Sequence, residues 1–375
     1  MEDVLKGYKY RIYPNEEQKV LLAKSFGCYR LVFNKFLEKK IILYRKEEKT
    51  MSHFDGINWV NQNLSVELPF LRECERGIYG FAVQDVIYAY NNFFREIKKG
   101  NKDQGFPKFK DKSSPKKYRS GSPSLRADFD RGQVYIPKLK WVDAVLHRKY
   151  DGDVRNATIS QAPSGKYYIM LCVKTDHEEM EAADGAIGLD LGIKDLMVTS
   201  EGVKYNNNKL IRKYEKKMGR LSRSLSRKKK GSSNRYKAKL EIAKLHEKIT
   251  AARRDNLHKI SHEVVKDNHM IFSENLNVKG MVRNKNLAKS IADCSWSELT
   301  RQLEYKSEWN NRIYHKVDRF YPSSQLCSSC GYKHEDVKNL KVRIWECPEC
   351  ETEHDRDMNA SINVLNQGLK DLGVQ

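Results

Sequence analysis

AIGLDLGIKDLMVTS, residues 186–200, decides the fold. An apolar run is interrupted at Asp190, turns around Gly192 and resumes as a second apolar run to Ser200. This pattern predicts a buried strand, a tight turn and a second strand. Glu201-Gly202 then turns the chain into a third strand, Val203–Tyr205. A carboxylate in or against a buried strand is costly unless it is paired or bound to metal. Asp190 is therefore marked by its surroundings, since acidic residues as such are common in the chain. Two further acids share that kind of context. HMIFSE (His269–Glu274) reads as a strand ending on Glu274, and Asp357 stands where the last helix begins, in HDRDMNAS (His354–Ser361). Singly, each has a bland reading: Asp190 capping a turn, Glu274 pairing with a lysine. Together the three favour a shared site. Oxygen-only ligands without a nearby histidine triad favour Mg²⁺ or Mn²⁺ over zinc.

Four cysteines make a second constellation. Cys327, Cys330, Cys347 and Cys350 form two Cys-x-x-Cys pairs separated by sixteen residues, a spacing that lets four thiolates hold one structural Zn²⁺. Cys28, Cys74, Cys172 and Cys294 are scattered and read as buried free thiols. The chain has 375 residues, room for two or three domains. Its 70 lysines and arginines exceed its 49 acids by 21, which points to a polyanionic partner, nucleic acid before any other. No run approaches the roughly eighteen apolar residues of a membrane span, and MEDVLKGYKY lacks a secretory core. A soluble, cytoplasmic protein with no membrane partner is expected.

The rest of the chain divides by pattern. Tyr8–Tyr13 alternates like a strand, Pro14 ends it, and Asn15 is placed to cap a helix. Helical periodicity then runs through Leu22, Phe26, Tyr29, Phe33, Phe36 and Leu37, and again from Gly77 to Lys99. Strand candidates follow at Gln133–Ile136, Thr158–Ala162 and Tyr167–Val173, before a charged linker, Thr175–Asp184. Lys209–Asp255 predicts a helical hairpin broken at Gly231–Ser233, with 18 basic residues against four acidic ones. So one-sided a count favours a phosphate-tracking surface over a merely solvated face. Trp296–Trp309 reads as a helix and Tyr314–Phe320 as a strand. The final helix should bury Met358, Ile362, Leu365 and Leu369.

A strand hairpin with Asp in its first strand, an acid ending a later strand and a third acid on a C-terminal helix suit an RNase H-like nuclease. In that arrangement two cations about 3.5–4 Å apart share the carboxylates. The chain also resembles the TnpB proteins of bacterial insertion sequences, relatives of the type V CRISPR nucleases. The matching pieces are YKYRIYPNEEQ (Tyr8–Gln18), NNFFR (Asn91–Arg95), GFPKFK (Gly105–Lys110), GLDLGIKD (Gly188–Asp195), SENL (Ser273–Leu276), YPSSQLCSSCG (Tyr321–Gly331) and HDRDMNAS.

The resemblance implies an RNA-guided DNA endonuclease, partnered by a guide RNA and by target DNA bearing a short flanking motif. It implies a nucleoid-associated location in a prokaryote. It places the catalytic, Mg²⁺-binding triad at Asp190, Glu274 and Asp357, with Asp355 as the fallback if the register shifts by two. The implied organisation is α+β and multidomain. A β-barrel-like wedge domain takes residues 1–14 and 101–180, and a helical recognition domain residues 15–100. A RuvC-like nuclease domain takes residues 181–320 and 357–375, and a target-nucleic-acid-binding zinc ribbon residues 321–356. The implied cofactors are two catalytic Mg²⁺ and one structural Zn²⁺. The competing readings are a nuclease-inactive guided repressor, a guide-independent RNase H-like transposase or nuclease, and a plain zinc-ribbon nucleic-acid-binding protein.

Overall fold

Alternation in VLKGYKYRIY builds strand β1 (Val4–Tyr13), which turns Tyr8, Tyr10 and Ile12 into a core. The computed structural model describes residues 4–101, 103–176, 180–339 and 341–374. They fall into two units, residues 1–177 and 178–375.

In the first unit, Asn15 and Gln18 exchange side-chain-to-backbone hydrogen bonds of 2.8 and 3.0 Å, a capping box that starts helix α1 (Glu16–Glu47). The predicted stripe from Leu22 to Leu37 is buried and packs beside helix α2 (Ile78–Lys98). Each large apolar side chain so buried contributes about 1.5–3 kcal/mol. Only the first half of α2 is sealed. Tyr88 and Phe94 are about half exposed, whereas Phe93 packs edge-on against Phe94 and Phe106.

Six more strands complete this unit: β2 (Lys116–Ser120), β3 (Arg126–Asp128), β4 (Gln133–Ile136), β5 (Lys140–Val145), β6 (Asp153–Gln161) and β7 (Tyr167–Thr175). They form one antiparallel sheet in the order β2-β6-β7-β1-β5-β4-β3. Ile169, Leu171 and Val173 fill the inner face of β7. Cys172 therefore falls on the outer face and is only half-buried, unlike Cys28, Cys74 and Cys294, which are buried as expected.

The second unit holds the stretch quoted first. It supplies β8 (Gly185–Asp190) and β9 (Asp195–Thr199), and β10 (Lys204–Asn206) follows. The basic hairpin is α3 (Leu210–Ser226) and α4 (Ser233–Asp267), capped at the second helix by Ser232. None of α3 is buried; α4 is buried along one side from Leu245 onward, through Leu245, Ile249, Leu257, Ile260, Val264 and Val265. β11 (Asn268–Ser273), α5 (Trp296–Trp309) and β12 (Ile313–Lys316) complete a five-stranded sheet of order β10-β9-β8-β11-β12. Its first three strands pair antiparallel, and β8–β11 and β11–β12 pair parallel. The parallel steps need long crossovers, which the helices supply. β12 stops at Lys316, short of Phe320, because the Asp318 carboxylate accepts the Phe320 N–H at 2.8 Å and turns the chain ahead of Pro322.

The small β13–β14 hairpin (Ile344–Glu346, Glu353–Asp355) leads into the final helix α6 (Arg356–Asp371). Its buried face differs from the expected one. Asn359, Ala360, Ser361, Asn363, Val364 and Gly368 are buried, Met358 is exposed, and Ile362, Leu365 and Leu369 are half-buried. Close approach explains the choice. A Cβ on Gly188 of β8 would stand 2.1 Å from the Ser361 carbonyl oxygen, and one on Gly368 would stand 2.1 Å from the Phe272 ring. We expect Gly188→Ala to lower stability by about 1–3 kcal/mol, read from a denaturant melt. An unchanged midpoint would show that α6 is not seated that tightly.

Candidate active site

Parallel pairing sets two of the acids side by side. Leu189 of β8 registers with Ser273 of β11, so the next residues, Asp190 and Glu274, leave the same end of adjacent strands. The glycine contact at Gly188 brings the start of α6, with Asp357, over that end. The three carboxylates feel one another. Burial raises the Asp190 pKa well above the ordinary value, and the charges of Glu274 and Asp357 raise it further. Glu274 is also pushed up, first by burial; the Ser323 hydroxyl and the Arg356 charge pull the other way. Like charges held together at one end of a sheet are unfavourable for the protein alone. Their all-oxygen donor set suits Mg²⁺.

Sequence reasoning missed the groups that hold these acids. Ser323 Oγ donates to Glu274 Oε1 at 2.7 Å. Arg343 Nη1 donates to both Asp357 oxygens, at 3.1 and 3.0 Å, and Arg356 Nη1 lies 3.8 Å from the same carboxylate. Asp357 is thus turned towards the ribbon arginine. Among the described residues, the four cysteines alone bring three or more Cys, His, Asp or Glu ligand atoms into one tight group.

Asp355 has a different task. Its Oδ1 accepts the N–H groups of Asp357 and Met358 at 3.0 and 3.1 Å, capping α6, and its Oδ2 accepts from Lys204 Nζ at 2.8 Å. Burial would raise its pKa, but the Lys204 hydrogen bond and the cap bonds leave it lowered. Asp355→Ala is expected to lower stability by about 1 kcal/mol, a cap's worth, measured by thermal melting. The partly exposed ion pair to Lys204 adds little.

The four ribbon sulfurs lie within 4.8 Å of one another, with Cys327–Cys350 and Cys330–Cys347 both at 3.6 Å. A tetrahedron with Zn–S bonds near 2.3 Å has edges of about 3.8 Å, so the thiols fit zinc. Two like turns present them. Gly331 N–H bonds to the Cys327 carbonyl, and Glu351 N–H to the Cys347 carbonyl, both at 2.9 Å. Gly331 and Glu351 each take positive φ, 79° and 57°, a conformation easy for glycine and uncommon for glutamate. His354 is buried with Nε2 3.0 Å from Cys327 Sγ. Asn359 and Asn363, one turn apart on α6, both donate to the Leu326 carbonyl at 2.7 Å. Two asparagines at i and i+4 on a helix otherwise seated on a core were the available signal.

Related proteins are similar along nearly the whole chain. A protein of Streptomyces pristinaespiralis, named as a candidate RNA-guided DNA endonuclease, is 34% identical over 98% of this chain and 90% of its own length. InsQ of Escherichia coli (strain K12), named likewise, is 30% identical over 97% of this chain and 92% of its own. A TnpB-like protein of Acanthamoeba polyphaga mimivirus is 25% identical over 96% of the chain and 73% of its own length. The chain belongs to the TnpB family. Within this TnpB protein, residues 296–364 match the family described as Cas12f1-like, TNB domain, and residues 170–285 match that described as Probable transposase. Residues 1–49 match a helix-turn-helix domain, although the described residues among them form β1 and the single helix α1. Two solved structures, a Cas12f1–sgRNA–target DNA complex and a CRISPR–Cas12f ternary complex, align at TM-scores of 0.37 and 0.39 with 16% identity. They cover 97% and 94% of this TnpB chain, and 99% and 82% of their own. No helix among the described residues is long and apolar enough to cross a membrane.

Proposed function

We propose that this TnpB protein is an RNA-guided DNA endonuclease that hydrolyses phosphodiester bonds in DNA matched to its guide RNA, next to a short flanking motif. The observation that carries the reading is the parallel register that sets Asp190 beside Glu274 at one end of the five-stranded sheet, with Asp357 in the first turn of the helix seated against β8. The strand order β10-β9-β8-β11-β12 supports an RNase H-like, RuvC-type assignment for residues 181–320 and 357–375. Residues 321–356 serve as the target-binding zinc ribbon, residues 1–14 and 101–180 as the wedge, and residues 15–100 as the recognition part.

Asp190, Glu274 and Asp357 would hold two Mg²⁺, and Cys327, Cys330, Cys347 and Cys350 one Zn²⁺. The catalytic ions supply water activation and stabilisation of the leaving oxygen when bound. Ser323 fixes the Glu274 carboxylate, and Arg343 and Arg356 offset the negative charge beside Asp357. The exposed basic helix α3 follows the nucleic-acid backbone through charge, which needs no base sequence.

The test is to sequence the RNA that copurifies with the protein, then reprogramme its guide segment and supply matching DNA. Cutting that follows the new guide sustains the proposal. Copurification without a discrete RNA overturns it in favour of a guide-independent nuclease.

A further inference from the structure

Glu274 lines one side of a cleft of about 250 Å³ in the second unit. Its wall is built by the first turns of α5 and the segment after β11, so the same strand end that presents Glu274 also frames the cleft. Leu191, Leu276 and Trp296 give it an apolar side. Thr300 and Ser297 bring hydroxyls, and Arg301 and Lys316 bring positive charge.

The two cations are not equivalent. Arg301 is committed to Glu298, with Nε and Nη2 donating at 2.9 and 2.8 Å. Lys316, at the end of β12, is only partly exposed; its Nζ lies 3.9 Å from Glu304, also on the cleft, and 5.5 Å from the Tyr314 ring centroid. At 3.9 Å that ion pair is loose and not a hydrogen bond. Of the two, Lys316 is the more loosely held and the better placed to take an incoming anion.

A cleft with one apolar wall, hydroxyls and a loosely held ammonium, opening on a candidate catalytic carboxylate, has the chemistry of a nucleotide: sugar and base edge against the wall, phosphate on the lysine. We infer that this cleft seats the nucleotide adjoining the scissile phosphate, and that Lys316 holds that nucleotide's own phosphate. Lys316 is then a positioning residue, aligning the strand at Glu274 without touching the reacting bond. The inference rests on the proposed nuclease function.

The test pairs the protein with its substrate, using the full ribonucleoprotein. Lys316→Ala should slow cleavage by about ten- to a hundredfold, as expected for losing one charged hydrogen bond in the bound transition state, and Lys316→Arg should restore most of it. Gel-shift measurement of guided binding should change little. A neutral methylphosphonate placed in turn at each phosphate flanking the cut should, at one of them, slow the wild type equally and the Lys316→Ala variant no further. Thr300→Trp, which fills the cleft, should slow cutting without disturbing guided binding or zinc content. Wild-type cutting speed in both Lys316→Ala and Thr300→Trp would overturn the cleft alone. Lys316→Ala slowing that adds fully to every methylphosphonate would also overturn it. A wild-type complex that cuts nothing, or Asp190→Ala that cuts normally, would instead overturn the nuclease reading beneath it.

Discussion

Asp190→Asn is expected to abolish cleavage of guide-matched DNA, lowering the rate on the order of a thousandfold or more, while making the Mg²⁺-free protein more stable at neutral pH. Both effects have one origin. Asp190 ends β8 with Glu274 and Asp357 as neighbours, and its pKa is raised first by burial and then by their charges. A carboxyl whose folded pKa lies above its unfolded one binds its proton more tightly in the folded state. Stability then falls as pH rises through the ordinary carboxylate range towards the folded value. Asparagine removes that penalty. The variant's advantage in melting temperature should therefore be clear near neutrality and vanish near pH 3, where the carboxyl is protonated in both states.

Added Mg²⁺ should stabilise the wild type by preferential binding to the folded form, and the variant far less. Guided DNA binding should survive in both. Full cutting by Asp190→Asn would remove Asp190 from the site. A variant less stable than wild type at neutral pH would show that the carboxylate is satisfied in the protein alone.

The second large effect belongs to the ribbon. Replacing Cys347 and Cys350 by serine should remove about one equivalent of zinc, measured by mass spectrometry, and unfold the segment from Leu326 to Asp355. The folding of such a small element rests on its metal, whose apparent binding free energy is about 10–16 kcal/mol in small zinc modules. Its own apolar cluster is small, essentially Val337 and Trp345 around the thiols. Loss should extend beyond the ribbon. Leu326 is tied to Asn359 and Asn363, Ser323 to Glu274, and Arg343 to Asp357, so both carboxylates would lose partners. Hydrogen exchange should rise across the ribbon and the first turn of α6, and cleavage should fall. Unchanged zinc content would rule out the four-cysteine site.

What could be read directly was whatever local pattern enforces. Alternation or apolar runs placed β1, β4, β7, β8, β9 and β11; a 3.6-residue stripe placed α1; and Cys-x-x-Cys spacing paired the ribbon thiols. Asp190 and Glu274 stood out because an acid in, or at the end of, an apolar strand breaks the pattern around it. Less legible were features that depend on what an element meets. The buried face of α6 was misjudged because hydrophobicity favours Met358 and Ile362, whereas the close seat on Gly188 admits small residues and the ribbon demands asparagines. The arginines and serine that hold the acids lie at ordinary surface-like positions in sequence, and nothing local sets them apart.

The sequence by itself determined which segments become strands and helices, and which residues stand out as candidates for chemistry, since periodicity, thiol spacing and misplaced charge are local properties. Only the tertiary structure decided that β8 and β11 run parallel in a register setting Asp190 beside Glu274. It also assigned Asp355 to the helix cap, brought Asp357 towards the acids and turned Arg343 onto it. The physical reason is that register, helix seating and charge pairing are properties of two surfaces meeting, and no single segment contains both.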